Sequence, residues 1–431
     1  MASLSVYRLG RGSAVLVGAL GEYGTSFSYD AEYLGLPEVT PLSLSLPLRL
    51  ERFSGAEVRP YFEGLLAEGR ARAALASELG LAEEDWVGML AACGRECIGD
   101  VLVLDRTVEY PLDVGEYELL DEDDLRRMFL DEPGVARENV ETRLSLAGTQ
   151  SKTALAYDYG SASSGRWLRP VGLSASTHVL KTSHLRNLPE VEYLCMAAAR
   201  QCGMKVAGVE LLGYGNPVLA VERFDRAVSL TDEGMTVSRR HQEDMAQALG
   251  IGGGSKYAEL KGGSIRRMAE LLRRHGLRPA SDVAGLAQMA CLNYLVGNCD
   301  AHLKNFSILH EGNDREEGAL VSLAPAYDLV STTYFPKHPR RLAMRIGGAQ
   351  AIDEVTPESL RALAADLGIR DSALRRLAAP LVEGLMEGVR RAGEGEFGPV
   401  LESTSYVAED LIDNMAPRVG ILSEYCSGRN K

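Results

Sequence analysis

The chain lacks several things that would narrow its class at once. It has no run of about eighteen consecutive apolar residues, so no membrane-spanning helix is expected. Met1 to Gly21 is interrupted by Arg8, Arg11 and several glycines, without the apolar run and small-residue cleavage site of a signal peptide. Cysteine is scarce and scattered. The seven are Cys93, Cys97, Cys195, Cys202, Cys291, Cys299 and Cys426, with no CxxC pair and no His-rich partner to build a zinc site. Reduced thiols in a cytoplasmic protein are the expectation. Positive charge is also short, with 46 Lys and Arg against 60 Asp and Glu and a formal charge of -14. An acidic chain repels phosphate backbones, so strong direct binding to nucleic acid is not expected. Its short basic clusters, such as Arg273-Arg274-His275, read as solvated helix faces or loops. There is no internal repeat.

What is present fits an ordinary globular protein of two or three domains, with 431 residues, 45% hydrophobic and 25% charged. Val6 to Leu9, the turn Gly10-Arg11-Gly12-Ser13 and Ala14 to Val17 read as a hairpin. Pro41-Leu42-Ser43-Leu44-Ser45-Leu46-Pro47 alternates with period two between prolines and reads as an edge strand. Helical patterns follow from Pro60, Ala71 and Glu84. Asp121-Glu122-Asp123-Asp124 opens another helix. Leu144 to Arg226 is mostly strand, broken by a helix over Pro189 to Cys202. After Ser238 the pattern turns helical, beginning with Gln242 to Leu249. The domains expected are 1–120, a small α+β unit; 121–240, a strand-rich lobe with a phosphate loop; and 241–431, a helical lobe with a catalytic loop.

The chemistry concentrates in Asp300-Ala301-His302-Leu303-Lys304-Asn305 and Tyr327-Asp328. An Asp, an Asn a few residues on, and a later Asp form the working end of a kinase. Asp300 accepts or orients the proton of an attacking hydroxyl. Asn305 and Asp328 supply hard oxygen ligands for Mg²⁺ on ATP. His302 is read as orienting Asp300, and Lys304 as meeting the γ-phosphate; a structural hydrogen bond fits either equally. Gly148-Thr149-Gln150-Ser151-Lys152-Thr153 is a candidate phosphate loop, although it lacks the first Walker glycine. Lys181 ends an apolar strand and could pair with ATP phosphates, with Glu190 or Glu192 as its carboxylate partner. A solvent-facing lysine is the alternative. Val221-Glu222-Arg223-Phe224-Asp225-Arg226 sits where a hinge belongs. A strand-rich lobe before a helical one implies ATP in the crevice between them.

In order and combination these motifs resemble the HipA-type serine/threonine kinases, the toxin components of bacterial toxin–antitoxin pairs. The landmarks are Pro41 to Pro47, Leu144 to Thr153, Thr177 to Lys181, Val221 to Arg226, Gln242 to Met245, Asp300 to Phe306 and Tyr327-Asp328. The resemblance implies an α+β, two-lobe protein-kinase-like fold with an added N-terminal subdomain. It assigns catalysis to Asp300, magnesium to Asn305 and Asp328, ATP phosphate to Lys181, and adenine to the main chain at Glu222 and Phe224. Ser145 matches the family's autophosphorylated serine. A translation component, glutamyl-tRNA synthetase-like, is the implied protein substrate, and a small helix-turn-helix antitoxin the partner that carries the DNA contacts. Two residues depart from the family pattern: Ala301 stands where Gly is expected, and Ser151 where Glu or Pro is frequent. A catalytically weak scaffold for the antitoxin–DNA complex and a small-molecule kinase are the competing readings. The intact set Lys181, Asp300, Asn305 and Asp328 argues for the protein kinase.

Overall fold

A computed structural model describes residues 3–9, 14–107, 115–130, 132–142, 144, 146, 150–160, 165–231, 234–252, 254, 257, 259–314 and 318–428. The chain folds as two compact units. The first comprises Met1–His184, Gly213–Gly253 and Gly312–Ala319, and the second Leu185–Leu212, Gly254–Glu311 and Leu320–Lys431.

In the first unit the expected hairpin is formed by β1 (Leu4–Leu9) and β2 (Ala14–Leu20), antiparallel, with a register shift between Val6 and Tyr7. Its turn lies outside the described residues. β3 (Ser26–Tyr29), β4 (Phe53–Ser54) and β5 (Val101–Asp105) complete a sheet in the order β4-β3-β2-β1-β5. Helices Gly55–Gly64, Gly69–Leu79 and Trp86–Cys93 supply the other side of its core. Phe27 is the hub, with ring centroids 5.0 Å from Tyr29, 5.6 Å from Phe62 and 6.3 Å from Phe53.

The proline-fenced run Pro41 to Pro47 is not the expected edge strand. It is a turn with one isolated bridge, Ser43 to Leu46. Proline withholds a ladder N–H and fixes φ, which favours a turn between two such residues. Burial does not alternate along it: Leu42, Ser43 and Leu46 are buried, and Leu44 and Ser45 half-buried. Leu42 and Leu46 are fully buried, and the Tyr29 hydroxyl donates to the Leu46 carbonyl at 2.5 Å and accepts from the Leu42 N–H at 2.9 Å. Ser43 and Ser45 donate to the Gln247 carbonyl at 3.3 and 2.7 Å. The helix expected from Gln242 likewise begins as a strand, β14 (Gln242–Asp244), because Asp244 caps the short helix Met245–Ala248 that follows.

β6 (Gly115–Leu119), β7 (Ser151–Asp158), β8 (Arg166–Gly172) and β9 (His178–Thr182) come next. β10 (Val209–Tyr214) leads the chain from the second unit back into the first, and β11 (Asn216–Glu222) follows it. Within the first unit the strands lie in the order β11-β9-β7-β8-β6, and β12 (Arg226–Thr231) with β13 (Gly234–Arg239) forms a separate ribbon. The helix Glu122–Met128 starts at Asp121 in a capping box with Asp124, as the acidic run implied.

The second unit is mainly helical. Ser264–His275 buries Ile265, Met268, Ala269 and Leu272 at helical spacing and turns its arginines outward. Asp371–Gly393 and Thr404–Ser427 pack on one another and on Leu188–Gln201. A Cβ at Gly388 would lie 3.1 Å from the Ala198 backbone, so glycine permits that close approach. Strands β15 (Ser307–Asp314) and β16 (Gly318–Leu323) are neighbours in one sheet, with Gly312–Ala319 counted in the first unit, and β17 (Arg341–Ile346) lies in the second. No described helix is long and apolar enough to cross a membrane, and none of the seven cysteines, all among the described residues, is in a disulfide.

His178 sits in an aromatic box within the first unit. Trp167 lies edge-on at 5.2 Å, the Tyr159 hydroxyl is 3.3 Å from Nε2, and Thr177 Oγ1 is 2.8 Å from Nδ1. Burial pushes its imidazole down to about 4 from an ordinary 6.5. The unfolded chain takes up a proton near 6.5 that the folded chain refuses. The stability contributed by neutral His178 is therefore full above that value and is lost as the pH falls toward 4. Thermal melts between pH 7 and pH 5 should show a falling midpoint, with a limiting slope from this group of about 1.4 kcal/mol per pH unit. His178→Phe should remove that part of the slope; equal slopes in the two proteins would rule the group out.

Candidate active site

The helix Pro279–Val296 delivers the candidate catalytic loop. It stops at Gly297, whose φ of 82° is left-handed, and a Cβ there would overlap Thr333 Oγ1. The next residue, Asn298, is buried at 2% exposure and uses both ends of its side chain. Its Oδ1 accepts from the Asp300 N–H at 3.0 Å. Its Nδ2 donates to Asn293 Oδ1 at 2.8 Å and, in a longer bond of 3.5 Å, to the Asp328 carbonyl. Asn293 is held in turn by donating to the Met289 carbonyl at 2.9 Å within the helix.

The three residues singled out in sequence are thereby joined in one network. Asn305 Nδ2 donates to the Asp300 carbonyl at 3.3 Å, which leaves Oδ1 as its acceptor end. Asp328 is held at φ 57°, a left-handed conformation that non-glycine residues rarely adopt. Tyr327 beside it donates to the Lys304 carbonyl at 2.7 Å, and its hydroxyl lies 2.7 Å from Ser307 Oγ. The loop is also closed on itself: the His302 N–H donates to the Asp300 carbonyl at 2.8 Å, and the Asn305 N–H to the His302 carbonyl at 2.9 Å. The buried His302 ring stands edge-on to Tyr257 at 5.3 Å, and Lys304 is buried too. The side-chain donors of Asp300, Asn305 and Asp328 are all oxygens, the set that suits magnesium.

The other candidates lie in the first unit. Lys181 is not the solvent-facing lysine of the alternative reading: it is 7% exposed, central in its sheet, and paired in register with Lys152 on β7 and Leu219 on β11. Two lysines directly opposed on one sheet face repel each other, and an anion between them relieves this. Gln150 precedes β7, which opens with Ser151 and Lys152; Thr153 follows with its hydroxyl buried. Gly148, Thr149 and Ser145 lie outside the described residues. Glu222 ends β11 opposite His178 and is exposed, and Phe224 is half-buried. Glu190 and Glu192 are buried on Leu188–Gln201 in the second unit.

Sequence reasoning missed two groups. The helical pattern in sequence runs from Ala280 through Asn298 and gives Asn298 no role; its place directly after a helix-ending glycine is the available signal. Arg223, Asp225 and Arg226 lie in the expected hinge segment, where spacing gives their side chains no role, yet all three are buried in an ion cluster with Glu96, Arg239 and Ser176. Burial alone would push the Glu96 carboxyl up, but Arg239, Arg226 and Arg223 hold it well below the usual carboxylate range. Asp225 is held down by Arg223 and Arg226 against the same burial.

Asn298→Ala leaves the Asp300 N–H and Asn293 Oδ1 without their partner in a buried site. It should cost about 2 kcal/mol in urea unfolding. An unchanged midpoint would mean the link carries no load.

Two family models match the sequence, the HipA N-terminal domain over residues 12–104 and the HipA-like C-terminal domain over 144–389. The Sinorhizobium fredii protein Y4mE is 36% identical over 410 residues, covering 91% of each chain. The serine/threonine-protein kinase toxin HipA of Shewanella oneidensis is 28% identical over 337 residues, which is 75% of this chain and 72% of that one. Among solved structures, the complex of Shewanella oneidensis HipA, HipB and operator DNA contains a chain that matches with a TM-score of 0.80 at 22% identity, covering 99% of this chain and all of that one. That likeness speaks for the kinase-like fold, and the family models and sequence relatives for descent. The chain belongs to the HipA-type kinase family.

Proposed function

We propose that this chain is an ATP- and Mg²⁺-dependent serine/threonine protein kinase that acts as a toxin. The observation that carries the reading is the Asn298 network, which ties Asp300, Asn305 and Asp328 into one loop assembly. In this reading Asp300 accepts the proton of the attacking hydroxyl and orients it. Asn305 and Asp328 hold the metal through oxygen. When bound, the metal neutralises charge on the triphosphate. Lys181 and Lys152 place cationic groups toward the phosphates, and the main chain at Glu222 and Phe224 reads the adenine. The 150–153 segment continues a phosphate loop that begins at Gly148. His302 acts through its main chain, closing the turn that sets Asp300.

Regulation and partners follow the family. Ser145 is the proposed autophosphorylation site; about two added negative charges there repel the triphosphate and switch the enzyme off. The proposed partner is a small helix-turn-helix antitoxin, through which alone the chain meets DNA, in keeping with its -14 charge. The proposed target is a translation protein of the glutamyl-tRNA synthetase kind. The seven free thiols suit work in the cytoplasm.

One labelling experiment tests this. The full chain is incubated with Mg²⁺ and γ-phosphate-labelled ATP, alone and with glutamyl-tRNA synthetase. Wild type should label itself and the synthetase. Asp300→Asn should lower both by about a hundredfold or more. Ser145→Ala should lose self-labelling while still labelling the synthetase. Equal labelling by wild type and Asp300→Asn would remove the kinase reading in favour of the scaffold. Self-labelling of unchanged stoichiometry in Ser145→Ala would remove the proposed switch, and an unlabelled synthetase beside a self-labelled kinase would remove that target.

A further inference from the structure

The loop Glu96–Gly99 belongs to the N-terminal family domain, yet its polar groups are committed to Arg223, Asp225 and Arg226 of the hinge segment and to Ser176 and Arg239. Glu96, 5% exposed, accepts through Oε1 from Arg223 Nη1 at 3.1 Å, Arg226 Nη2 at 3.0 Å and Ser176 Oγ at 2.7 Å. Its Oε2 receives Arg239. The Cys97 carbonyl accepts from Arg223 at 3.0 Å and Arg226 at 3.2 Å, and the Gly99 carbonyl from Arg226 at 2.7 Å. The Gly99 N–H donates to Asp225 Oδ2 at 2.7 Å. The main chain of Glu96 also forms a parallel bridge with Leu144, at the start of the phosphate-loop segment. Ile98 packs on the cluster of Leu144, Leu146 and Ala154, which Val179 also joins. One four-residue loop thus touches the hinge segment and the phosphate-loop entrance, and shares an apolar cluster with the strand that carries Lys181.

The charges explain why this loop matters. Arg223, Arg226 and Arg239 face Glu96 and Asp225, so three cations are buried with two anions. Neutralising Glu96 leaves three guanidiniums around one carboxylate in a place from which water is excluded, and they repel. Relief has to come from movement of the segment 223–226, whose Arg223 N–H continues the strand pairing by donating to the Thr177 carbonyl at 2.9 Å. That movement displaces the adjacent main chain at Glu222 and Phe224.

We propose that Glu96 is the positioning residue of the nucleotide hinge: an anion from the N-terminal domain holds the backbone that discriminates the base. The inference rests on the kinase reading and names what sets its nucleotide selectivity. Glu96 touches neither nucleotide nor reacting atoms. It acts through Arg223 and Arg226, so its loss alters binding and base preference while leaving the transfer step in place.

The test uses the full chain, with KM and kcat measured for ATP and for GTP by phosphate labelling, and the fold followed by circular dichroism and thermal melting. Glu96→Gln should raise KM for ATP by about tenfold, the worth of one charge-assisted hydrogen bond, and lower the ATP-over-GTP preference in proportion. Its kcat should stay within about twofold, since the groups that orient and accept remain. Glu96→Asp, which keeps the charge, should recover part of the loss. A folded Glu96→Gln that melts lower but keeps the KM for ATP and the base preference overturns the inference, because Glu96 is then only structural. If Glu96→Gln does not fold, Ser176→Ala decides: it removes one of several donors to the Glu96 carboxylate and should shift the preference in the same direction by about threefold, and no shift overturns the inference. A wild-type chain that transfers no phosphate from ATP overturns the kinase reading and the inference together, whereas an active wild type with an unaltered variant overturns the inference alone.

Discussion

A single carboxamide, that of Asn298, joins the segments on which the chemistry depends. Its oxygen fixes the Asp300 main chain, and its nitrogen reaches both Asn293 in the preceding helix and the carbonyl of Asp328, which arrives 28 positions after Asp300. The 300–305 loop is closed by its own main-chain bonds, and Asn298 adds the link from it to the Asp328 segment. Asp328 occupies a left-handed conformation that costs about 1–2 kcal/mol unless its surroundings hold it. The helix Pro279–Val296 supplies the rigid reference, and Gly297 the abrupt turn that places Asn298 where both loops can use it. Precise placement is what phosphoryl transfer asks of a protein, since the reaction needs little covalent help.

The first unit meets a different constraint, which is how to bury charge. Isolated buried ions are expensive, so Glu96, Asp225, Arg223 and Arg226 are each ion-paired more than once, and Arg239 pairs with Glu96. A second buried set lies nearby in sequence, where Asp100 takes Arg8 at 2.8 Å and His241 at 2.8 Å. These pairs tie residues near 8, 96–100 and 223–241 into one body. That is why the N-terminal sheet and the strands that carry Lys181 form a single compact unit and do not behave as appended pieces. Buried ion pairs of this kind specify arrangement more than they add stability.

Much of this was legible in the sequence because local rules and tertiary structure agree. The hairpin after Val6, the acidic cap at Asp121, the amphipathic run from Ser264 and the strand that ends in Lys181 all follow from period and capping. Pro41 to Pro47 misled because its apolar alternation does not require a strand: Leu42 and Leu46 are buried from a turn that the distant Tyr29 and Gln247 hold. Gln242 to Leu249 misled because Asp244 starts its helix later than the apolar pattern does. Within the site, Asp300, Asn305 and Asp328 could be named from spacing. Asn298 and Glu96 could not, because what distinguishes them is the set of remote groups they receive, and a single sequence does not reveal which segments meet.

The claim on which the account turns is that the oxygens of Asp300, Asn305 and Asp328 serve one metal–triphosphate. Calorimetric titration of ATP into the full chain, with and without Mg²⁺, measures this most directly when wild type is set beside Asp328→Asn. The account predicts that Mg²⁺ tightens ATP binding to wild type and that the gain largely disappears in a folded Asp328→Asn. An equal gain in both proteins would contradict it.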